Sequence, residues 1–106
     1  MNPQQNVSNA FQSFLKEAPR QAAIWMDSVQ KLGGASSLDP KTAALAYLAV
    51  LAAVRLEGGL PFHVKHAKSL GATRDEVISA LLIGLPAVGN AAVQVLPAAL
   101  EAFDQP

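Results

Sequence analysis

Two histidines are the side chains of this chain best suited to proton chemistry. They lie three residues apart in Pro61-Phe62-His63-Val64-Lys65-His66, a spacing that places both on one face of a helix. His63 also aligns with Ala67 and Leu70 on an apolar stripe, where weakly polar surroundings tune the proton affinity of an imidazole. We therefore predict that His63 is a catalytic acid–base group. The alternative is a core histidine bonded to a backbone carbonyl.

Arg55 follows twelve uninterrupted apolar residues, 43–54. A guanidinium donates two parallel hydrogen bonds to a carboxylate, so Arg55 suits a small anionic ligand. Phe62 and His66, which flank His63 in the sequence, are predicted to line the same substrate site. The alternative for Arg55 is a side chain that reaches solvent near a helix C-terminus, where the helix dipole favours a cation.

The other common kinds of reactive site have no sequence support. A metal site needs at least a third ligand beside two histidines, and Glu57 and Asp75 are the candidates that folding would have to bring close. There is no HExxH motif, nucleophile motif, phosphate-binding glycine loop or paired-carboxylate spacing. The sequence therefore predicts no metal and no cofactor.

Composition bounds the architecture and the partners. The 106 residues suit a single domain, residues 1–106, yet 51% are hydrophobic and 15% are charged. A small monomer cannot easily bury that much apolar surface, so a symmetric homo-oligomer is expected. The net charge is zero, without a basic patch for nucleic acid. The absence of cysteine excludes disulfides and thiolate catalysis and is compatible with a reducing cytoplasm.

Neither a leader nor a membrane span is expected. Residues 1–5 lack the basic segment and apolar run of a signal peptide, so we expect a cytoplasmic protein. Residues 77–100 are free of charge and long enough to cross a bilayer. Glycine, proline and amide side chains interrupt this stretch, however, and acidic residues flank it. Two buried helices are the better prediction.

Apolar periodicity and capping signals predict about six helices and no strand. Apolar positions at helical spacing mark the first helix over 7–18 and the second over 22–32, with Gly33-Gly34 as its stop. Asp39-Pro40 starts the third helix, which runs to about Glu57. Its residues 43–54 are apolar on every side, so this helix is expected to be buried all round.

The second half of the chain continues the helical pattern. A fourth helix is predicted over 60–70, and a capping box of Thr73 and Glu76 starts the fifth, which continues to Gly84 or Pro86. A sixth helix over 91–103 is predicted to be capped by Asn90 and kinked at Pro97. Two aromatic residues in the helices, Trp25 and Tyr47, are interpreted as core side chains.

Five segments have a characteristic order and spacing: Leu38-Asp39-Pro40-Lys41-Thr42 with the apolar helix up to Arg55, Phe62-His63-Val64, Gly71-Ala72-Thr73-Arg74-Asp75-Glu76-Val77, Asn90-Ala91-Ala92 and Glu101-Ala102-Phe103. Together they resemble the carboxymuconolactone decarboxylase and alkylhydroperoxidase-D family. The resemblance covers residues 38–103, preceded by N-terminal helices in 1–37. It implies an all-α helical bundle that assembles into homotrimers or homohexamers, with a pocket where helices and subunits meet.

The resemblance also separates two branches of the family. The peroxidase branch has cysteines seven and four positions before the histidine, where this chain has Leu56 and Gly59, and a glutamate at the position of Ala44. A peroxiredoxin-type activity is therefore disfavoured. The decarboxylase branch lacks these cysteines and has an arginine eight positions before the histidine, which corresponds to Arg55.

Three functions are therefore compared. The resemblance implies a cofactor-free lyase or isomerase that acts on a small anionic lactone or keto acid, with Arg55 placing the carboxylate and His63 moving the proton. The alternative is an oligomeric scaffold that binds small molecules without catalysis. The third is peroxidase-type redox activity, which the missing cysteines disfavour.

Overall fold

The computed structural model describes residues 8–106, and within them every regular element is helical. Eight α-helices follow one another, with a short 3₁₀ helix, Glu57–Gly59, between the third and the fourth. Their bounds are α1 Asn9–Glu17, α2 Pro19–Ala35, α3 Pro40–Ala53, α4 Leu60–Ser69, α5 Arg74–Leu81, α6 Leu85–Val88, α7 Asn90–Val93 and α8 Leu96–Asp104. The all-α prediction is confirmed.

The core lies where α3, α4, α5 and α8 meet. Small and medium aliphatic side chains fill it, with Ala44, Leu45, Ala80, Leu96 and Phe103 packed at its edge. Its buried members are Leu48, Leu51, Ala52, Leu60, Val64, Ala67, Ala72, Val77, Leu81, Val95, Ala99 and Ala102. This core positions α4, the helix that carries both histidines.

The N-terminal pair of helices lies apart from this core. Ser8 caps α1, since its Oγ accepts a hydrogen bond from the backbone N–H of Phe11 at 3.1 Å; Val7, the predicted first position, lies outside the described residues. The predicted stop of α2 at Gly33-Gly34 is wrong, because the helix runs through both glycines to Ala35. Glycine permits a helix end but does not impose one.

Helix α3 is buried on one side only within this chain. Its N-terminus is as predicted: Oδ1 of Asp39 accepts from the N–H of Thr42 at 2.9 Å, and Pro40 is the first helical residue. Leu48, Leu51 and Ala52 are buried, whereas Val50 remains 54% exposed. The prediction of burial all round is therefore wrong for the single chain, because the neighbouring helices cover one face.

The end of α3 also differs from the prediction, which placed it near Glu57. The helix ends at Ala53, and Arg55 has a φ of 59°. The N–H of Arg55 bonds to the carbonyl of Ala52 at 3.2 Å, and the N–H of Leu56 bonds to that of Leu51 at 3.0 Å. These two bonds form a Schellman motif, in which the left-handed position is usually a glycine.

Helix α4 ends in the same motif with glycine in place. Gly71 has a φ of 97°, and its N–H bonds to the carbonyl of Lys68, while the N–H of Ala72 bonds to that of Ala67. The predicted capping box of α5 is confirmed. Thr73 Oγ1 accepts from the N–H of Glu76 at 3.1 Å, and Glu76 Oε1 accepts from the N–H of Thr73 at 2.9 Å.

The C-terminal segment breaks where one kinked helix was predicted. Helix α7 ends at Val93, and α8 starts at Leu96 with Pro97 in its first turn. A proline lacks the N–H that would continue the ladder and crowds the carbonyl four residues earlier, so the chain restarts a helix. Asn90 is the first residue of α7 and makes no side-chain cap, contrary to the prediction. Among the described helices, none is long and apolar enough to cross a membrane.

Candidate functional site

A cavity of about 310 Å³ lies between the N-terminal helices and the start of α4. Side chains from α1, α2, α3 and α4 contribute to its wall, together with the residues before α1 and α4. The lining residues are Ser8, Phe11, Trp25, Met26, Val29, Tyr47, Gly59, Phe62 and His63. The wall is therefore mainly aromatic and aliphatic, with hydroxyl, indole and imidazole groups as its polar side-chain positions.

His63 owes its place to the register of α4. Leu60, Val64 and Ala67 are all fully buried in the core, so the helix presents them inward. His63 precedes Val64 and lies at the edge of that buried face, partly exposed to the cavity. Its predicted position on an apolar stripe with Ala67 is consistent with this, although the imidazole borders the core and does not enter it.

Two aromatic rings hold the imidazole. The ring of Tyr47 contacts that of His63 edge-on, with centroids 4.7 Å apart and planes at 64°. The ring of Phe62 does so from within α4, at 5.2 Å and 82°. Gly59 leaves room beside the imidazole, since a β-carbon there would lie 3.8 Å from Cδ2 of His63. The histidine is thus packed on several sides and open towards the cavity.

These surroundings lower the pKa of His63 from its ordinary value of 6.5. The main cause is burial, which removes water from the imidazolium, and the nearby charge of His66 adds to it. A lowered pKa favours the uncharged imidazole, in which a nitrogen lone pair can accept a proton. This is the state that a general base requires.

Trp25 and Tyr47 line the cavity, which corrects their interpretation as core side chains. Trp25 is 50% exposed and Tyr47 is 45% exposed. Helical periodicity alone indicates that both lie on apolar faces. It does not say whether the facing element fills the space or leaves a cavity, so the sequence held no signal for their role.

The predicted site residues do not all meet at the cavity. Phe62 lines it next to His63. His66 is exposed on α4 and is not part of the lining, and its carbonyl accepts a hydrogen bond from Oγ of Ser69 at 2.6 Å. Arg55 is exposed in the turn after α3 and is also not part of the lining. Within this chain, the structure therefore brings together Phe62 and His63 alone of the four.

A second, more open groove of about 480 Å³ runs between α3 and α5. Its lining residues are Thr42, Leu45, Ala46, Ala49, Asp75, Glu76, Ser79, Ala80 and Ile83. Glu76 is already engaged there by Lys41 at 2.9 Å and by the cap of α5. The smaller cavity is the better candidate for the functional site because a partly buried histidine, His63, lines it. In the described part of the chain, no three His, Asp or Glu side chains lie close enough to hold a metal ion.

Comparison with known families gives a match over most of the chain. The profile of the carboxymuconolactone decarboxylase family matches residues 17–103, from the end of α1 to the last turn of α8. The match therefore includes α2, which precedes the segments that carry the resemblance in the sequence. A search of curated proteins gives no significant match.

Proposed function

Because the chain belongs to the carboxymuconolactone decarboxylase family, we propose that it is a cofactor-free lyase or isomerase whose acid–base group is His63. The observation that supports this most is the imidazole itself. It is partly buried, its pKa is lowered, and it faces a cavity large enough for a small organic molecule. Lyases and isomerases of this kind need a group that removes a proton from carbon and returns it.

The family resemblance suggests an anionic lactone or keto acid as substrate. Such a substrate needs a cation beside it, the role predicted for Arg55. In the single chain Arg55 is exposed and outside the lining of the cavity. To bind an anionic substrate with Arg55, a second protomer would therefore have to bring its own Arg55 to this cavity. Otherwise the substrate would have to extend beyond the cavity to reach Arg55.

A binding module without catalysis is the alternative. The same cavity would then hold a ligand while His63 supplies only a hydrogen bond. The third candidate, peroxidase chemistry, has no thiol to carry it: position 59, where the peroxidase branch has a cysteine, is a glycine beside His63. Without cysteine, the chain cannot form the disulfide on which that chemistry depends.

Proton exchange separates an enzyme from a binder. Lactones, keto acids and cyclic ketones that bind the protein are incubated with it in D₂O, and NMR records deuterium uptake and the release of CO₂. We expect exchange or turnover with at least one compound. His63→Gln should lower the rate roughly 10²-fold or more, the usual scale for losing a general acid–base group.

The matched comparison is His66→Gln, which removes the second histidine of the same helix. Because His66 is exposed and outside the lining, its replacement should matter much less than that of His63. Full activity in a folded His63→Gln protein would reject the catalytic assignment. Binding without exchange or turnover would favour the non-catalytic module.

We also propose that the protein works as a homo-oligomer, a homotrimer or a homohexamer. Large apolar side chains outside the cavity lining are exposed on the helices and in the turns between them: Leu15, Ile24, Leu32, Leu38, Val50, Val54, Leu56, Ile83, Leu85, Val88 and Val93. So many in a small domain favour self-association. Light scattering at micromolar concentration should give a multiple of 11.1 kDa, and a stable monomer mass would refute this.

A further inference from the structure

We infer that the His63 cavity takes an uncharged ring compound with one carbonyl or hydroxyl group, and that the reaction relocates a proton without loss of CO₂. This inference rests on the proposed function and narrows its substrate class. It departs from the anionic substrate that the resemblance suggests. Charge, shape and the supply of hydrogen-bonding groups in the wall of the cavity support it.

The charge of the wall is the first support. Among the described residues that line the cavity, none is Asp, Glu, Lys or Arg. The undescribed residues 1–7 also contain none of these four types. His63, the titratable imidazole of the lining, is held towards its neutral form by burial. Within one protomer, an ionised ligand would lose its hydration there without gaining an opposite charge, which is unfavourable.

The shape and chemistry of the wall are the second support. Phe11, Trp25, Tyr47 and Phe62 provide four aromatic side chains around one space, and Met26 and Val29 fill the intervening surface. Aromatic faces and edges favour a flat ring as their neighbour. The volume of about 310 Å³ is roughly twice that of an apolar protein cavity that binds benzene. A ligand with a single ring or with two fused rings therefore fits the cavity.

The small number of polar groups in the wall is the third support, and it limits the number of polar groups on the ligand. His63, Tyr47, Trp25 and Ser8 are the lining residues whose side chains can form hydrogen bonds. A carbonyl accepts from the hydroxyl or the indole, and a hydroxyl donates to the imidazole. One such group on the ligand is enough to orient it, whereas several would leave polar atoms unpaired against apolar side chains.

An uncharged substrate narrows the reaction. Decarboxylation starts from a carboxylate, which this wall does not match. Proton relocation is balanced without any further reactant when the ring also has a C=C bond one carbon away from the carbonyl. The imidazole of His63 takes a proton from the carbon between the carbonyl and that C=C bond, and the C–H electron pair forms a new C=C bond in a dienolate. The carbonyl π pair moves to oxygen. The C=O bond then re-forms, and the far carbon of the original C=C bond takes the proton back from the imidazolium with the π pair of that bond. The C=C bond is now conjugated with the carbonyl, and nothing is oxidised or reduced.

A matched set of probes tests the charge of the ligand. Benzamide, benzoate and benzamidine share one ring and a similar outline but are neutral, anionic and cationic at pH 8. The chain has a single tryptophan, Trp25, and it lines the cavity, so its fluorescence reports binding at this place. We expect benzamide to bind at least about tenfold more tightly than either ion.

Two alanine variants verify that the signal comes from the cavity. Phe62→Ala removes a lining ring and should weaken benzamide binding, while Ile83→Ala removes an exposed side chain of the groove between α3 and α5 and should change it little. Circular dichroism is recorded for both variants to check that they fold. Equal loss in the two variants would place the binding elsewhere and overturn the inference.

The outcomes distinguish this inference from the proposed function. Tighter binding of benzoate, lost in Arg55→Gln, would overturn the uncharged ligand while leaving an anion-binding enzyme with His63 in place. Saturable binding of none of the three probes would overturn both, because the cavity would not be a ligand site. If a bound keto acid releases CO₂ and the release depends on His63, the proton-relocation reaction would be rejected and the proposed role of His63 would stand.

Discussion

Arg55→Gly is expected to stabilise the protein, although it removes a charged side chain. Arg55 occupies the left-handed position of the Schellman motif at the end of α3, with a φ of 59°. A β-carbon there costs roughly 1–2 kcal/mol, and the extra freedom of glycine in the unfolded chain takes back about 0.5–1 kcal/mol. The free energy of unfolding should therefore rise by about 0.5–1 kcal/mol.

The equivalent motif at the end of α4 provides the control. Gly71 already occupies its left-handed position, with a φ of 97°, so Gly71→Ala should lower the free energy of unfolding by about 1 kcal/mol. Arg55→Ala keeps the β-carbon and should change stability little. Urea denaturation at fixed protein concentration measures all three. If Arg55→Gly is no more stable than Arg55→Ala, the backbone explanation is refuted.

Further predictions concern the caps, the core and the titration of the site. Thr73→Ala should lower the free energy of unfolding by about 1 kcal/mol and Thr73→Ser much less, because serine keeps the cap of α5; equal denaturation midpoints for wild type and Thr73→Ala would count against the capping box. Leu81→Ala empties a fully buried position and should cost about 2–5 kcal/mol by thermal or urea unfolding; a cost below 1 kcal/mol would contradict the burial. The pKa of His63, measured by NMR, should lie below 6.5 and rise only in part in His66→Gln, because burial is its larger cause. The unfolded chain binds this proton more readily than the folded chain does. The contribution of His63 to the free energy of unfolding should therefore be fully present above pH 6.5 and decrease as the pH falls from 6.5 to the folded pKa. A free energy of unfolding that does not change with pH in that interval would exclude the pKa shift.

The sequence predicted local features well where one residue type has one physical role. Asp39 with Pro40 and Thr73 with Glu76 cap their helices as expected, because a side-chain oxygen and a free N–H three residues later need only local geometry. Helix ends without such a signal were less predictable. Arg55 ends α3 in the left-handed conformation, which at a helix end usually indicates a glycine.

The site was predictable only in part. The helix that carries Phe62 and His63 was predicted from the sequence, and the assignment of both residues to a functional site stays a prediction. The cavity wall is built from distant segments, and nothing in the spacing of Trp25, Tyr47 or Gly59 shows that they face one space. Arg55 was assigned to the same site because it precedes His63 by eight residues, but the turn after α3 leaves it outside the cavity lining.

The most direct test of the account follows the two histidines of α4 in one NMR spectrum. Carbon–proton correlations of the imidazole rings are recorded while ring compounds with a carbonyl or hydroxyl group are added. The account predicts that ligands shift the signals of His63 and the indole of Trp25, which line the cavity, and leave those of the exposed His66 nearly unchanged. Ligands that bind while moving neither His63 nor Trp25, or that shift Ile83 in the groove between α3 and α5 instead, would contradict the assignment of the functional site.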